Sequence, residues 1–252
     1  MTEKLLKRAA LGFAIGLGVL AAQSSSARAG NLQITITVDN GENVNITDDG
    51  VLDMNTTNPG VIDVNTGALN AELGHFMFAG LSLVSNSPGT PSGSYLSLSG
   101  VAQLLPGETS GTLEIVASDT GYLSPADLID TFNASASGTF TNAPAGDTQV
   151  FRASQSSANG TKSEQPMTFT STGLTVNSHS ANGLPISFLT AIPYQMTSRM
   201  DFSLSNASGG LPNQVQFAGS EQYAPVPEPT SLGLVLGSMA AICLGRRRRT
   251  HH

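Results

Sequence analysis

The sequence predicts an antiparallel β-sandwich, jelly-roll or immunoglobulin-like, flanked by a helical signal peptide and a C-terminal hydrophobic helix. Three observations carry this prediction. Apolar residues recur at period two, turn dipeptides interrupt them at short intervals, and helical periodicity is nearly absent. Only 12% of the 252 residues are charged, well below the usual quarter, while 39% are hydrophobic. That balance excludes an ordinary helical cytosolic protein and a charge-rich disordered chain.

Leu32, Ile34, Ile36 and Val38 alternate with Gln33, Thr35, Thr37 and Asp39, the pattern of a half-buried strand. Tyr194, Met196, Met200, Phe202 and Leu204 keep one parity, with Ser198 the polar member of the row. Shorter alternations occur at Leu113/Ile115/Ala117, Met167/Phe169 and Val215/Phe217. Turns are predicted at Asn40-Gly41, Asp49-Gly50, Pro59-Gly60, Asn159-Gly160 and Asn182-Gly183. Val51–Thr56 and Val61–Thr66 repeat around Pro59-Gly60 and read as the arms of a hairpin. Two short helices are expected, at Pro125–Thr131 with Ser124 as N-cap, and at Ala68–Leu73. The core is expected to draw on Phe76, Phe78, Phe140, Phe151, Phe169, Phe188 and Phe202.

The two ends differ from the body. Residues 1–29 have the form of a secretory signal, with Lys4, Lys7 and Arg8 before an apolar run from Ala9 to Ala22. Ala27 and Ala29 satisfy the small-x-small rule for cleavage before Gly30. At the other end, Pro225-Val226-Pro227-Glu228-Pro229 is stiff and extended, because each proline fixes its own φ and restrains its predecessor. An uncharged stretch from Thr230 to Gly245 follows and stops at Arg246, Arg247, Arg248 and Arg249. Those arginines set a cytoplasmic C-terminus by the positive-inside rule, beside a segment marginally short for a permanent span. Cys243, the one cysteine, lies in that segment, so neither a disulfide framework nor a multi-thiolate zinc site is possible.

The constellation of Val226-Pro227-Glu228-Pro229, hydrophobic helix and arginine end resembles the PEP-CTERM sorting signal of bacterial envelope proteins. The resemblance covers about the last 27 residues, from Val226 onwards. It implies processing by the membrane protease exosortase in a Gram-negative bacterium that makes exopolysaccharide. It further implies transient anchoring in the inner membrane before arrival in the outer envelope or extracellular matrix. The chain then divides into a signal peptide (1–29), a secreted β-domain (30–224) and a sorting signal (225–252).

The β-domain holds three basic residues, Arg152, Lys162 and Arg199, against sixteen acids, a net charge of −13. Such a field opposes nucleic acid and other polyanions. Ser and Thr supply 46 of its residues, so its polar surface is built from hydroxyls more than charges.

No catalytic constellation is recognisable. His75 and His179 are the β-domain's histidines, the first beside an apolar run and the second in a Ser/Asn-rich stretch that reads as a loop. Neither His-x-x-x-His, Gly-x-Ser-x-Gly nor a phosphate-binding glycine loop occurs. Carboxylate pairs could serve a glycosidase, though most acids sit in turn contexts where they cap backbone. The absence of Trp leaves Tyr95, Tyr122, Tyr194 and Tyr223 as candidate sugar-stacking rings. Asp39, Asp48, Asp49 and Asp53 crowd one turn-rich segment and are the candidate calcium ligands. The spaced Asp-x-Asn-x-Asp-Gly ladder is missing, and turn formation alone accounts for them. No other cofactor is expected. The sequence thus points to an exported, non-enzymatic matrix or envelope protein. The alternatives are a carbohydrate-binding module for the matrix polysaccharide, using tyrosines and calcium-ordered loops, and a secreted hydrolase.

Overall fold

The computed structural model describes residues 31–39, 41–123, 129–163, 166–189, 191–206 and 211–225. The signal-peptide residues, including Ala27 and Ala29, lie outside the described residues. So do Val226, Pro227, Glu228, Pro229, the hydrophobic segment and Arg246 to Arg249.

Along the chain run β1 (Gln33–Val38), β2 (Glu42–Thr47), β3 (Val61–Asp63), α1 (Thr66–Glu72) and β4 (Phe76–Ser85). Next come β5 (Ser94–Leu104), β6 (Ser110–Tyr122), β7 (Ile129–Thr141), β8 (Thr148–Ser157) and β9 (Gly160–Ser163). The remainder is β10 (Met167–Thr170), β11 (Val176–Asn182), β12 (Ile186–Leu189), β13 (Tyr194–Ser205) and β14 (Gln214–Pro225). They form two antiparallel sheets. The first has the order β10-β8-β13-β6-β1-β2 with β9 also on β8. The second has the order β11-β7-β14-β5-β4-β3 with β12 also on β7. The late strands β13 and β14 are each inserted at a sheet centre, between strands that lie far earlier in the chain.

Period-two patterning explains the packing. In β1, Ile34, Ile36 and Val38 are buried while their neighbours are half-exposed, and β13 buries Tyr194, Met196, Ser198, Met200, Phe202 and Leu204. The core lies between the sheets, where Phe202 of the first meets Phe217 of the second at 5.1 Å between rings. Phe76, Phe78, Phe140 and Phe151 are buried with them and Phe169 packs against their edge. The side chain of Phe188 lies outside the described residues.

The helix expected at Ala68–Leu73 is α1, capped by Asn65, whose side chain accepts from the Ala68 N–H at 3.2 Å. Asn70 ties it to β4 by bonding both the N–H and the C=O of Phe78. Two expectations are corrected. Of Pro125–Thr131, residues 125–128 lie outside the described residues, and Ile129–Thr131 opens strand β7, held by β14 and β12. The hairpin read at Val51–Thr56 and Val61–Thr66 reduces to a single Asp53–Val64 bridge, because β3 pairs instead with β4. In the first arm Val51 is fully exposed and Met54 largely so, and the buried position is the polar Asp53, so the arm lacks the apolar alternation that holds a strand.

Candidate functional site: an uncharged sheet face

The register of the second sheet stacks its outward side chains into rungs across β5, β14, β7 and β11. Gln103, Gln214, Thr141 and Val176 share one rung, and Val101, Gln216, Thr139 and Ser178 the next. Ser99, Ala218, Ser137 and Ser180 follow, then Ser97, Ser220, Ser135 and Asn182, then Tyr95, Gln222 and Asn133. Not one of these side chains is charged at neutral pH. Cross-strand hydroxyl pairs order the surface, with Ser135 and Ser220 at 2.8 Å, Thr139 and Ser178 at 3.0 Å, and Ser82 of β4 and Ser99 at 3.3 Å.

The face is slightly troughed. A depression of about 740 Å³ is lined by Ser82, Ser99, Val101, Ser137, Thr139, Ser178, Gln216 and Ala218, with Met54, Asp63 and Thr66 at the β3 end. Recesses of about 270 and 350 Å³ continue it past Ser97, Ser180 and Ser220 towards Asn133, Pro185 and Gln222. Every hydroxyl there can donate and accept, and every amide offers both functions.

The first sheet's outer face is different in kind. Arg199 bonds Glu114 at 2.6 Å and Asp201 at 2.7 Å, and Arg152 pairs with the same Asp201. Glu114, Arg152, Arg199 and Asp201 thus neutralise one another on one sheet, whereas the four-strand face of the other carries no charged side chain.

Behind the uncharged face, small residues let polar groups into the interior. Gly138 lies opposite His179 in β11, and the imidazole fills the space a Cβ would need, stacked on Phe169 and bonded to Gln149 at 2.9 Å. Burial lowers the His179 pKa, which keeps the ring neutral. His179 therefore belongs to a strand and a packed aromatic cluster, not to the loop its neighbours' composition predicts. Further along, Asp119 is buried and accepts from Ser85 Oγ at 2.5 Å and from the Thr120 N–H at 2.7 Å. Desolvation raises its pKa to about 6 despite those bonds. Ser85 also meets the Tyr122 hydroxyl at 2.7 Å. The Tyr122 pKa is raised, chiefly by burial.

The stacking rings expected from sequence are mostly elsewhere. Tyr122, Tyr194 and Tyr223 are buried core residues, Tyr194 stacked on Tyr122 and tilted against Tyr223, and only Tyr95, 40% exposed, reaches the surface. Ser94 and Ser85 supply hydroxyl partners to Tyr194 and Tyr122 from distant strands, which lets those phenols enter the core.

The acidic segment separates. Asp39 bonds the backbone and hydroxyl of Thr112 and pairs with His75 at 2.9 Å, with Glu108 at 3.5 Å from the same ring. Asp53 accepts from the N–H groups of Asp49, Asn55 and Asp63, which engages both of its oxygens in the turn. Asp48 accepts from Gly60 N–H, and burial together with Asp49 and Asp53 raises its pKa. Among the described residues, no group of three or more His, Cys, Asp or Glu side chains is placed to hold a metal ion.

No family model matches the chain, and no curated protein matches it. Among solved structures, an arabinose-bound α-L-arabinofuranosidase is similar at 16% identity and a TM-score of 0.26. That match covers 62% of this chain but 24% of the enzyme, so the chain spans about a quarter of its length. A carbohydrate-binding module of the β-sandwich superfamily is similar at 11% identity and a TM-score of 0.27, over 75% of this chain and 84% of the module. A module from a Cellvibrio mixtus lichenase, in complex with cellotriose, has 8% identity and a TM-score of 0.23 over 61% and 92%.

Proposed function

We propose that the chain is an exported, non-enzymatic protein of the outer envelope or exopolysaccharide matrix, and that the outer face of its second sheet binds an uncharged polysaccharide. The observation that supports this is the five-rung surface of hydroxyls and amides, free of charge on a domain with net −13. A polyhydroxylated chain can exchange hydrogen bonds with such a surface in both directions. An ionic ligand would find no counter-charge there and an acidic field around it. Outward side chains repeat roughly every 6.8 Å along a strand, which suits an extended polymer better than a compact small molecule. Delivery rests on the terminal signals, with Val226-Pro227-Glu228-Pro229 and the arginine end directing exosortase processing.

The test is affinity electrophoresis of the chain in gels containing a neutral glucan or mannan, with alginate as the anionic comparison. Retention by at least one neutral polymer is expected. Ser137→Glu and Ser220→Glu are expected to weaken it at least tenfold, while Thr197→Glu on the other sheet leaves it unchanged. Retention that ignores both face substitutions, or none on any neutral polymer, would overturn the assignment. Glycan turnover lost on changing one carboxylate would replace it with a hydrolase.

A further inference from the structure

The second sheet ends at β11, and the hydrogen bonds flanking that strand show which backbone groups are spoken for. The N–H of Asn142 donates to the C=O of Thr175 and the N–H of Gly183 to the C=O of Ala134, in the same register as the β11–β7 ladder. In an antiparallel pair, hydrogen-bonded and non-bonded positions alternate. Asn177, His179 and Ala181 therefore turn their amide and carbonyl groups towards β7. Val176, Ser178, Ser180 and Asn182 turn theirs outwards, and no strand among the described residues pairs with them.

Exposed edges are normally protected by charge, shortness or proline. The other edges here follow that rule. β2 carries Glu42, β3 has three residues including Asp63, β9 has four including Lys162, and β10 and β12 have four each. β11 has seven residues, Val-Asn-Ser-His-Ser-Ala-Asn, with no acid, lysine, arginine or proline, and its pairing with β7 runs without a bulge.

We infer that β11 is a self-association edge at which a second copy of this chain adds its own β11 antiparallel, joining two second sheets into one. The occupant follows from symmetry and charge. A two-fold axis at His179 sets Ser178 opposite Ser180 and Val176 opposite Asn182, so all four outward-turned residues of each copy meet outward-turned residues of the other. No like charges meet across the seam, although each domain carries −13. The joined sheet would double the uncharged outer face. The inference stands on edge geometry alone and does not require that face to bind a glycan.

One strand per copy makes a small interface, so the test is a concentration series of the full chain followed by light scattering and amide hydrogen exchange. The expected result is a mass rising towards twice the monomer, with exchange at the Ser178 and Ser180 amides slowing as concentration rises. Ser178→Pro removes an outward N–H without touching the β7 ladder, and Ser180→Lys places a charge beside the seam. Each is expected to return the chain to monomer mass with its circular dichroism and melting temperature retained. If Ser178→Pro unfolds the chain, Ser180→Lys and the exchange data decide. A monomer mass at every concentration up to about 1 mM would overturn the inference. Association that survives Ser180→Lys would overturn it too, since another segment, such as the apolar tail, then carries it.

Discussion

Gly138 and His179 face each other across β7 and β11, and the imidazole occupies the volume that any side chain at residue 138 would claim. A Cβ there would stand 2.7 Å from His179 Nε2, 2.6 Å from Gln149 Oε1 and 2.6 Å from the Gln216 carbonyl. The carbonyl belongs to the sheet ladder and cannot yield as a side chain could. Gly138→Ala is therefore expected to destabilise the fold by about 1–3 kcal/mol, as overpacking does, measurable by urea unfolding. An unchanged midpoint would show that β7 and β11 shift freely.

Asp119 makes stability depend on pH in a direction opposite to that of a salt-bridged acid. Its pKa is about 6 in the fold against 3.8 for an ordinary Asp, so the folded state holds the proton more tightly. The stabilisation is complete below about pH 3.8 and is lost as pH rises through about 6. A carboxyl displaced that far loses roughly 3 kcal/mol of stabilisation across the window. Asp119→Asn is expected to flatten unfolding free energy between about pH 4 and 7. An unaltered slope in the variant would assign the effect to another group.

How far the sequence foretold this fold depended on how large the inward residues are. β1 and β13 were legible because Ile, Met and Phe alternate with polar residues. β7 was not, because between its inward Phe132 and Phe140 the inward positions are Ala134, Ala136 and Gly138, too small to stand out from the outward serines. The same blandness hid β11, whose Ser/Asn composition reads as loop, although seven residues pair with β7. Ser124-Pro125 signals a helix start, yet pairing with β14 and β12 claims the chain from Ile129 onwards. Composition revealed many hydroxyls, but only strand register shows which of them share the uncharged face. The buried tyrosines were illegible for a related reason, since Ser85 and Ser94 reach them from other strands.

Asp53 is buried and bonds three backbone N–H groups, which closes the turn leading to β3. Asp53→Ala would leave those donors without a carboxylate, and charge-assisted bonds of this kind are each worth about 1.5–3 kcal/mol. A loss of at least that size in unfolding free energy is expected, with fast amide exchange at Asn55 and Asp63. A neutral result would mean that water replaces the carboxylate at little cost.

Asp147 performs the same service at the opposite end. It is buried and accepts from the Ser205 N–H at 3.1 Å, from Ser205 Oγ at 2.6 Å and from the Asn213 amide. Asn213 in turn donates to the Ser205 carbonyl at 2.9 Å, so one carboxylate joins the end of β13 to the approach to β14. Asp147→Ala strands these donors and is expected to cost about 2–4 kcal/mol, well above the effect of Asn213→Ala, in which the carboxylate keeps two partners. Because β13 and β14 sit at the centres of the two sheets, the loss is expected in both at once. Hydrogen exchange in β6 and β5 would accelerate together, and acceleration confined to the 206–213 connection would show that the sheets hold without this tie.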